Sequence, residues 1–339
     1  MTLHLPALFP WARFSHGYLA VDLFFVMSGF VLARTYESRL LDQRMTTFQF
    51  MRARFIRLYP LYILGALLGA LSFVILGLFD AWPAGSSWAG LAKVTAFAVV
   101  MLPVPRGGAL YPLNSPSWSL FFELVANLLF GRFVAVLSNR VLVAVVAITL
   151  MLVVWLTSHD AFNGGWKITT LPVGLVRVVF SFSVGVLVHR HTGTVRKPGN
   201  VLTLLVMLAI AAVLAVDVTG HAERIYTAVV VALLFPAIVI VATRIEPSGV
   251  VRTFCSYSGT ISYGLYVLHC PTGNLVTGIE QTALHANARI VGLSGIAFTL
   301  CIALFVLWLD RGYDPALRRA LGRIIPGSAR GMRPGSAVM

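Results

Sequence analysis

Runs of about 17 to 25 mostly apolar residues recur along this chain, and they constrain its fold more than any other feature. Each run is long enough to cross the hydrocarbon core of a bilayer as an α-helix. Of the 339 residues, 58% are hydrophobic and only 11% are charged, a balance that excludes an ordinary soluble domain. The sequence therefore predicts an all-α protein, a polytopic transmembrane helix bundle.

Nine of these runs are predicted to be complete spans. They lie near residues 18–35, 58–79, 116–137, 140–157, 171–189, 201–217, 225–243, 261–280 and 289–309. A further apolar segment, 88–104, is bounded by Gly and Pro and contains Lys93. If it does not cross, all the basic loops fall on one side of the membrane, as the positive-inside rule requires. We therefore expect 88–104 to be re-entrant or peripheral.

The charge distribution indicates orientation and environment. The chain has 26 Lys+Arg against 12 Asp+Glu, a net charge of +14, and most of this charge lies in short loops between spans. In a chain whose apolar spans are surrounded by membrane lipid, this charge therefore indicates orientation rather than a nucleic acid partner. The basic loop at 34–57 is predicted to be cytoplasmic, which places the C-terminus inside and the N-terminus outside the membrane. An outside N-terminus without a signal peptide suggests that one span is missing ahead of Met1. We expect one membrane domain at 1–309 and a basic cytoplasmic tail at 310–339.

The first complete span carries polar residues where a simple anchor would have none. Asp22 lies near its start, and Ser28 and Gly29 lie in its middle. A carboxylate deep in the membrane costs about 2.5–3.5 kcal/mol. Asp22 and Gly29 share one helix face, where a glycine allows a helix or a ligand to approach the backbone. Asp22 could alternatively be an interfacial residue that only orients the helix.

A basic cluster precedes the second span. Arg54 and Arg57 are three residues apart, so they face the same way on a helix. Planar guanidinium groups suit phosphate recognition, because each can bind two oxygens at once. The pair could hold the phosphates of a nucleotide-bearing cofactor, or it could anchor the protein to lipid headgroups.

The third span begins with a polar stripe. Ser115, Ser119 and Glu123 lie at i, i+4 and i+8, and Glu123 is expected to face the bundle interior or a wet cavity. The structural alternative is that Glu123 pairs with an arginine from another helix.

The span at 261–280 repeats this pattern with Ser262, Tyr266 and His269. An intramembrane histidine beside tyrosines could relay protons or bind a polar substrate, or it could be a packing residue. His4 precedes the first complete span, and a histidine near a terminus is usually a surface residue. The sequence contains no serine-elbow, zinc-protease or P-loop motif, and its three cysteines form no disulfide or metal pattern.

Four segments in this order, VDLFFVMSGFVLARTY, FMRARFIRLYPLY, PSWSLFFE and ISYGLYVLH, resemble the acyltransferase-3 family of membrane O-acyltransferases. The resemblance implies a ten-helix enzyme that moves an acyl group, commonly acetyl from acetyl-CoA, to a sugar hydroxyl. Acceptors in the family include lipopolysaccharide, exopolysaccharide and other glycans. Acyl-CoA would be a donor substrate rather than a permanently bound cofactor.

The resemblance also implies roles for individual residues. His4 matches the family's essential histidine by its distance from the VDLFF motif, and Arg54 and Arg57 match the pair thought to engage acyl-CoA. The family helix that precedes this histidine is absent, so the chain looks N-terminally truncated, and an inactive homologue is one alternative. The remaining matches are Asp22, Ser28 and Gly29 in the motif of the second family helix, and Glu123 and His269 at polar positions of later helices.

These residues suggest one mechanism. We expect His4, Glu123 and Asp22 to be catalytic, with His4 acting as general base on the acceptor hydroxyl or carrying the acyl group itself. Ser28, Ser119, Tyr266 and His269 would line the path of the acyl group. A transporter or flippase of a glycan or lipid is the alternative from another class, although the sequence shows no inverted repeats.

Overall fold

The computed structural model describes residues 4–10, 14–78, 86–105, 108–193, 197–282 and 288–325, and this part of the chain is mostly helical. Two short strands, β1 (Lys197–Pro198) and β2 (Ile245–Glu246), pair in parallel. The all-α prediction is confirmed. The helices are α1 (Ala20–Leu41), α2 (Thr47–Leu78), α3 (Trp88–Val99), α4 (Trp118–Phe133), α5 (Asn139–Ser158), α6 (Leu171–His191), α7 (Asn200–Ala215), α8 (His221–Val229), α9 (Phe235–Thr243), α10 (Gly249–Thr282), α11 (Ala288–Arg311) and α12 (Tyr313–Ile324).

Within the described ranges, six helical segments are long and apolar enough to cross a membrane. Three further helices, α4, α7 and α10, coincide with the other predicted spans. However, α4 and α7 have only 16 residues each, and α10 is interrupted by many polar side chains. A chain with several spans is therefore supported, whereas the count of nine stays a prediction. The six segments are Gly17–Leu41, Thr47–Leu78, Asn139–Ser158, Ile168–His191, His221–Thr243 and Ile290–Arg311.

The segment predicted to be re-entrant or peripheral contains the short helix α3. Its 12 residues extend about 18 Å, well below the ~30 Å of a hydrocarbon core. It lies against α2, where the Tyr62 hydroxyl donates to the carbonyl of Ala98 at 2.9 Å. Its length agrees with a segment that does not cross alone, and its position relative to a bilayer stays a prediction.

Helices α1 and α6 pack with their backbones in direct contact. A Cβ added at Gly29 would lie 2.1 Å from the carbonyl oxygen of Phe182, and one added at Gly185 would lie 2.1 Å from that of Val26. Gly29 therefore admits another helix, which is one of the two possibilities that the sequence suggested. Fully buried aromatic side chains, among them Phe25 of α1, fill the space between these helices and their neighbours.

The first part of the basic tail is folded against the helix bundle. Helix α12 packs on α2, where Arg52 donates from Nε to the carbonyl of Ile325 at 2.7 Å and from Nη2 to that of Gly322 at 2.5 Å. The Tyr313 hydroxyl donates to the carbonyl of Pro60 at 3.0 Å. Residues 326–339 lie outside the described residues.

Candidate functional site

A cavity of about 830 Å³ opens at the N-terminal end of α1, and we call it the histidine cavity. It brings together residues that are far apart in sequence, including the predicted site residues His4, Tyr266 and His269. Polar groups on its wall come from the 3₁₀ turn before α4, from α6 and from α10. Its lining residues are His4, Phe14, Gly17, Tyr18, Ala20, Val21, Phe24, Ser115, Trp118, Asn163, Trp166, Arg177, Leu214, Ser262, Tyr263, Tyr266 and His269.

Two histidines meet in this cavity. The ring centroids of His4 and His269 are 5.4 Å apart. His269 Nδ1 lies 2.8 Å from the carbonyl of Leu265 and 2.9 Å from that of Tyr266. Because carbonyls only accept, these contacts assign the proton to Nδ1 and leave a lone pair on Nε2. Nε2 is buried and has no hydrogen-bond partner in the described part of the chain. His269 can therefore accept a proton or hydrogen bond from a ligand.

His4 is half-buried and lines the cavity, which a simple surface histidine would not do. Burial lowers the pKa of His4 from 6.5 to about 4, because desolvation disfavours the imidazolium. At neutral pH the His4 ring is therefore uncharged and able to take up a proton. The cavity thus holds two imidazole rings, each with an acceptor nitrogen.

Ser119 lies behind the wall of the cavity and contacts Tyr266. Its Oγ is 2.6 Å from the Tyr266 hydroxyl, which also donates to the carbonyl of Pro116 at 2.9 Å. Ser119 is buried and is not among the described lining residues. Its place in the structure is therefore to hold the Tyr266 ring, which does face the cavity.

Asp22 also lies behind the wall, where it forms a buried ion pair with Arg177 of α6. The Arg177 Nε–Asp22 Oδ1 distance is 3.1 Å and the Nη2–Oδ2 distance is 2.6 Å. Arg177 also donates to the carbonyls of Gly164 at 2.9 Å and Tyr18 at 3.0 Å. Asp22 is fully buried, whereas Arg177 lines the cavity. Asp22 therefore neutralises and orients Arg177, and the cavity receives the guanidinium rather than the carboxylate.

The sequence interpretation missed Arg177. The signal was present, because a single arginine within an otherwise apolar span requires a partner in the bundle interior. The structure also places its guanidinium carbon 5.3 Å from the Trp118 ring centroid and 4.8 Å from that of Phe162. A charge held by a carboxylate and two rings keeps one position at the cavity wall.

Deeper in the bundle, Glu123 connects three helices. Its Oε1 accepts from the Ser28 hydroxyl at 3.1 Å and from Arg54 Nη2 at 2.8 Å. This arrangement is the structural alternative that the sequence allowed, an ion pair with an arginine from another helix. Glu123 Oε2 and Arg54 Nε are buried and have no partner within the described ranges, so the cluster can still bind a polar group.

Arg57 is exposed and lies beside this cluster. It interacts electrostatically with Arg54 and with Arg318 and Asp314 of α12. The residue after it, Leu58, accepts a hydrogen bond on its carbonyl from the Tyr263 hydroxyl at 2.5 Å. Because Tyr263 also lines the histidine cavity, it links that cavity to the arginine pair.

A mostly helical chain with several membrane-crossing helices around a polar cavity defines a multi-pass membrane protein with an internal reaction or transport site. The sequence decides between reaction and transport, because the chain belongs to the acyltransferase-3 family. The family's sequence profile, described as an acyltransferase domain, matches residues 2–308. The protein is therefore a membrane acyltransferase.

Two named relatives are similar to the chain. "Acyltransferase MdmB" of Streptomyces mycarofaciens is 28% identical over 271 residues, which cover 75% of this chain and 67% of that protein. "Protein 2 in picA locus" of Rhizobium radiobacter is 41% identical over 143 residues, which cover 39% of this chain and 74% of that protein. No solved structure matches.

Proposed function

We propose that this protein transfers an acyl group, most simply acetyl, from acyl-CoA to a hydroxyl of a sugar in a cell-surface or exported glycan. The observation that carries the proposal is the pair of histidines on the wall of one large cavity in an acyltransferase. A cavity of this volume accommodates a sugar, and its polar and aromatic wall suits one.

His4 is the general base in this proposal. As the acceptor hydroxyl oxygen attacks the thioester carbonyl carbon, His4 takes the hydroxyl proton. The carbon–sulfur bond then breaks, and the proton passes to the thiolate of coenzyme A. His269 Nε2 accepts a hydrogen bond from the acceptor and fixes its position. In the second route that the chemistry allows, His4 first takes the acyl group on its ring and the hydroxyl then removes it.

Arg177 stabilises the negative charge that develops on the thioester oxygen. Its contacts to Asp22, Gly164 and Tyr18 use four of the five N–H bonds of a guanidinium, which leaves one for a ligand in the cavity. A cation fixed before the reaction is well suited to this task, since it needs no rearrangement when the charge forms. Asp22 is then a positioning residue for Arg177.

The donor reaches the site from the cytoplasmic side of the inner membrane. Arg54 and Arg57 contact its phosphates, and the thioester arm follows the buried polar cluster of Glu123 and Ser28 towards Tyr263. Buried polar atoms without partners, Glu123 Oε2 among them, favour such a path over a purely structural ion pair.

Membranes of expressing cells, supplied with radiolabelled acetyl-CoA, provide the test. We expect label in the glycan fraction, and we expect His4→Ala and His269→Ala each to reduce it by about 100-fold or more. Arg57→Ala should raise the KM for acetyl-CoA. His221→Ala is the matched control, because His221 is exposed and lies outside the cavity.

Each contrary outcome is specific. Unchanged labelling in both His4→Ala and Arg57→Ala, at equal protein level, would reject the assigned roles. Movement of a glycan or lipid across the membrane without any labelling would instead favour a transporter. A wild-type protein that neither labels nor transports would be an inactive homologue.

A further inference from the structure

A second cavity, of about 530 Å³, lies at the opposite ends of helices that frame the histidine cavity. We call it the basic cavity, since Arg34, His189 and Arg190 are on its wall. In α1 the wall of the histidine cavity ends at Phe24 and that of the basic cavity starts at Ala33, nine residues and thus about 14 Å further along the helix.

Charge in the basic cavity favours an anion. Glu37 is the one acidic residue on the described wall, and Arg190 neutralises it by an ion pair. Arg190 is also fixed by the carbonyl of Leu137 at 2.6 Å and by Asn139 Oδ1 at 2.9 Å. Arg34 is exposed, and no carboxylate in the described residues pairs with it. Its charge is therefore available to a ligand.

Neighbouring groups strengthen this preference. Ser138 and Asn139 line the cavity at the N-terminus of the 20-residue helix α5, and a helix N-terminus carries partial positive charge. His189 lies beside Arg34 and adds a nitrogen that can donate or accept. A guanidinium, an imidazole and a helix N-terminus around one cavity match the oxygens of a phosphate group.

The space between the two cavities contains buried polar groups. Asn127 lies one turn from Glu123 in α4, and both its side-chain atoms are buried without a partner in the described part of the chain. The hydroxyl of Ser181 in α6 is also buried and has no hydrogen-bond partner in the described residues. Buried polar groups are normally paired, so each of these side chains can still bind an amide, a hydroxyl or a water.

We propose that the basic cavity binds phosphate groups at the nucleotide end of acyl-CoA, in addition to the contacts made by Arg54 and Arg57. The inference rests on the proposed function. The cavity lies beside the predicted cytoplasmic loops, where the donor is found, and its 530 Å³ is the size of a small-ligand site. The pantetheine arm then extends past Asn127 towards the histidine cavity, its amides opposite the amide of that residue.

Two donors and one matched pair of variants test this site. We compare acetyl-CoA with S-acetylpantetheine, which has the same reacting group and no phosphate. Arg34→Gln should raise the KM for acetyl-CoA by about tenfold or more, because a charge-assisted hydrogen bond is lost, and should leave the KM for S-acetylpantetheine unchanged. Arg39→Gln is the control, since Arg39 is also exposed on α1 but does not line the cavity.

A binding measurement separates this proposal from the proposed function. Titration of purified protein in nanodiscs with coenzyme A itself requires no turnover, and Arg34→Gln should weaken binding by the same factor. An inactive wild-type protein that binds coenzyme A through Arg34 would reject the function and retain the site. If Arg34→Gln raises the KM for both donors equally, or leaves coenzyme A binding unchanged, the proposal is wrong.

The same chemistry could belong to a lipid headgroup. Native mass spectrometry of protein in discs with and without phosphatidylglycerol distinguishes this source. Loss of bound phosphatidylglycerol in Arg34→Gln, with unchanged binding of coenzyme A, would assign the basic cavity to lipid and overturn the proposal.

Discussion

The surroundings of His4 fix the protonation state in which it can act. Because burial lowers the pKa of His4 to about 4, the ring stays neutral at pH values where an exposed histidine would be charged. A neutral ring is a base and a nucleophile, whereas an imidazolium is neither. Within the histidine cavity, desolvation therefore favours the form of His4 that its proposed role as base or nucleophile requires.

This shift predicts an unusual dependence of kcat/KM on pH. Between pH 7.5 and 5.5, a histidine with a pKa of 6.5 would lose about 90% of its neutral form, whereas His4, with a pKa of about 4, loses only a few per cent. Activity through His4 should therefore be nearly constant over this range. The measurement is the initial rate of labelling at low acetyl-CoA concentration in buffers of constant ionic strength.

The same shift has a consequence for stability. The unfolded chain binds a proton at His4 near pH 6.5, before the folded protein does, so the contribution of His4 to stability is complete above that pH. It decreases as the pH falls from 6.5 towards 4.

The activity prediction has its own contrary outcome. A tenfold loss of kcat/KM by pH 5.5 that is absent from the residual activity of His4→Ala would contradict the assigned pKa of His4.

At the scale of single residues, the sequence predicted candidate site residues better than it predicted the side chains that they contact. His4 and His269 were both recognised, but nothing in a linear sequence places their rings 5.4 Å apart. Asp22 was recognised as costly in a membrane, and its compensation by Arg177, 155 residues away, is a property of helix packing. Asp22 and Ser119 therefore lie behind the cavity wall, where the sequence had placed them on it.

Among the helices, the close contact of α1 with α6 determines where the two cavities lie. Gly29 and Gly185 let the backbones meet, so Arg177 reaches Asp22 near one end of the pair and Arg190 reaches Glu37 near the other. These ion pairs lie beside the histidine cavity and the basic cavity, respectively. The glycines thus set the register on which both sites depend.

Gly185→Ala should separate these helices. A Cβ at this position would lie 2.1 Å from the carbonyl oxygen of Val26, a backbone atom that cannot rotate away. Overpacking of this kind costs about 1–3 kcal/mol, so we expect a lower thermal midpoint of the detergent-solubilised protein.

Gly259→Ala is the matched control. Gly259 lies inside α10 with nothing within 4 Å of an added Cβ, and alanine is the better helix former by about 1 kcal/mol. Its midpoint should be unchanged or higher. Equal midpoints for the two variants would show that α1 and α6 do not depend on this contact.

The apolar pattern predicted which segments are helices, but it did not always predict how long these helices are. The runs near 140–157 and 171–189 became α5 and α6 almost within the predicted bounds. Helix α10 begins at Gly249, well before residue 261, where the span was predicted to start. Its first residues include polar side chains, so a search for apolar runs does not detect this part of the helix. Periodicity and hydropathy therefore predicted where the helices lie, but they did not determine how many of these helices cross the membrane.

At the scale of the whole molecule, the two cavities lie towards opposite sides of the predicted membrane. The basic cavity lies with Arg34 and Arg190 at one end of α1 and α6, and the histidine cavity lies at the other end. If the positive-inside rule holds, the proposed donor site faces the cytoplasm and the proposed acceptor site faces outward. In the proposed function, the acyl group then passes the buried cluster around Glu123.

Cysteine labelling tests this orientation. The three native cysteines are free and can be replaced by alanine before single cysteines are introduced. Asp217→Cys, in the loop between α7 and α8, should react with a membrane-impermeant maleimide in intact spheroplasts. Arg39→Cys, near the end of α1 that is predicted to be cytoplasmic, should react only after permeabilisation. The opposite pattern would invert the molecule, so that coenzyme A would meet the histidine cavity first and the path past Glu123 would have no purpose.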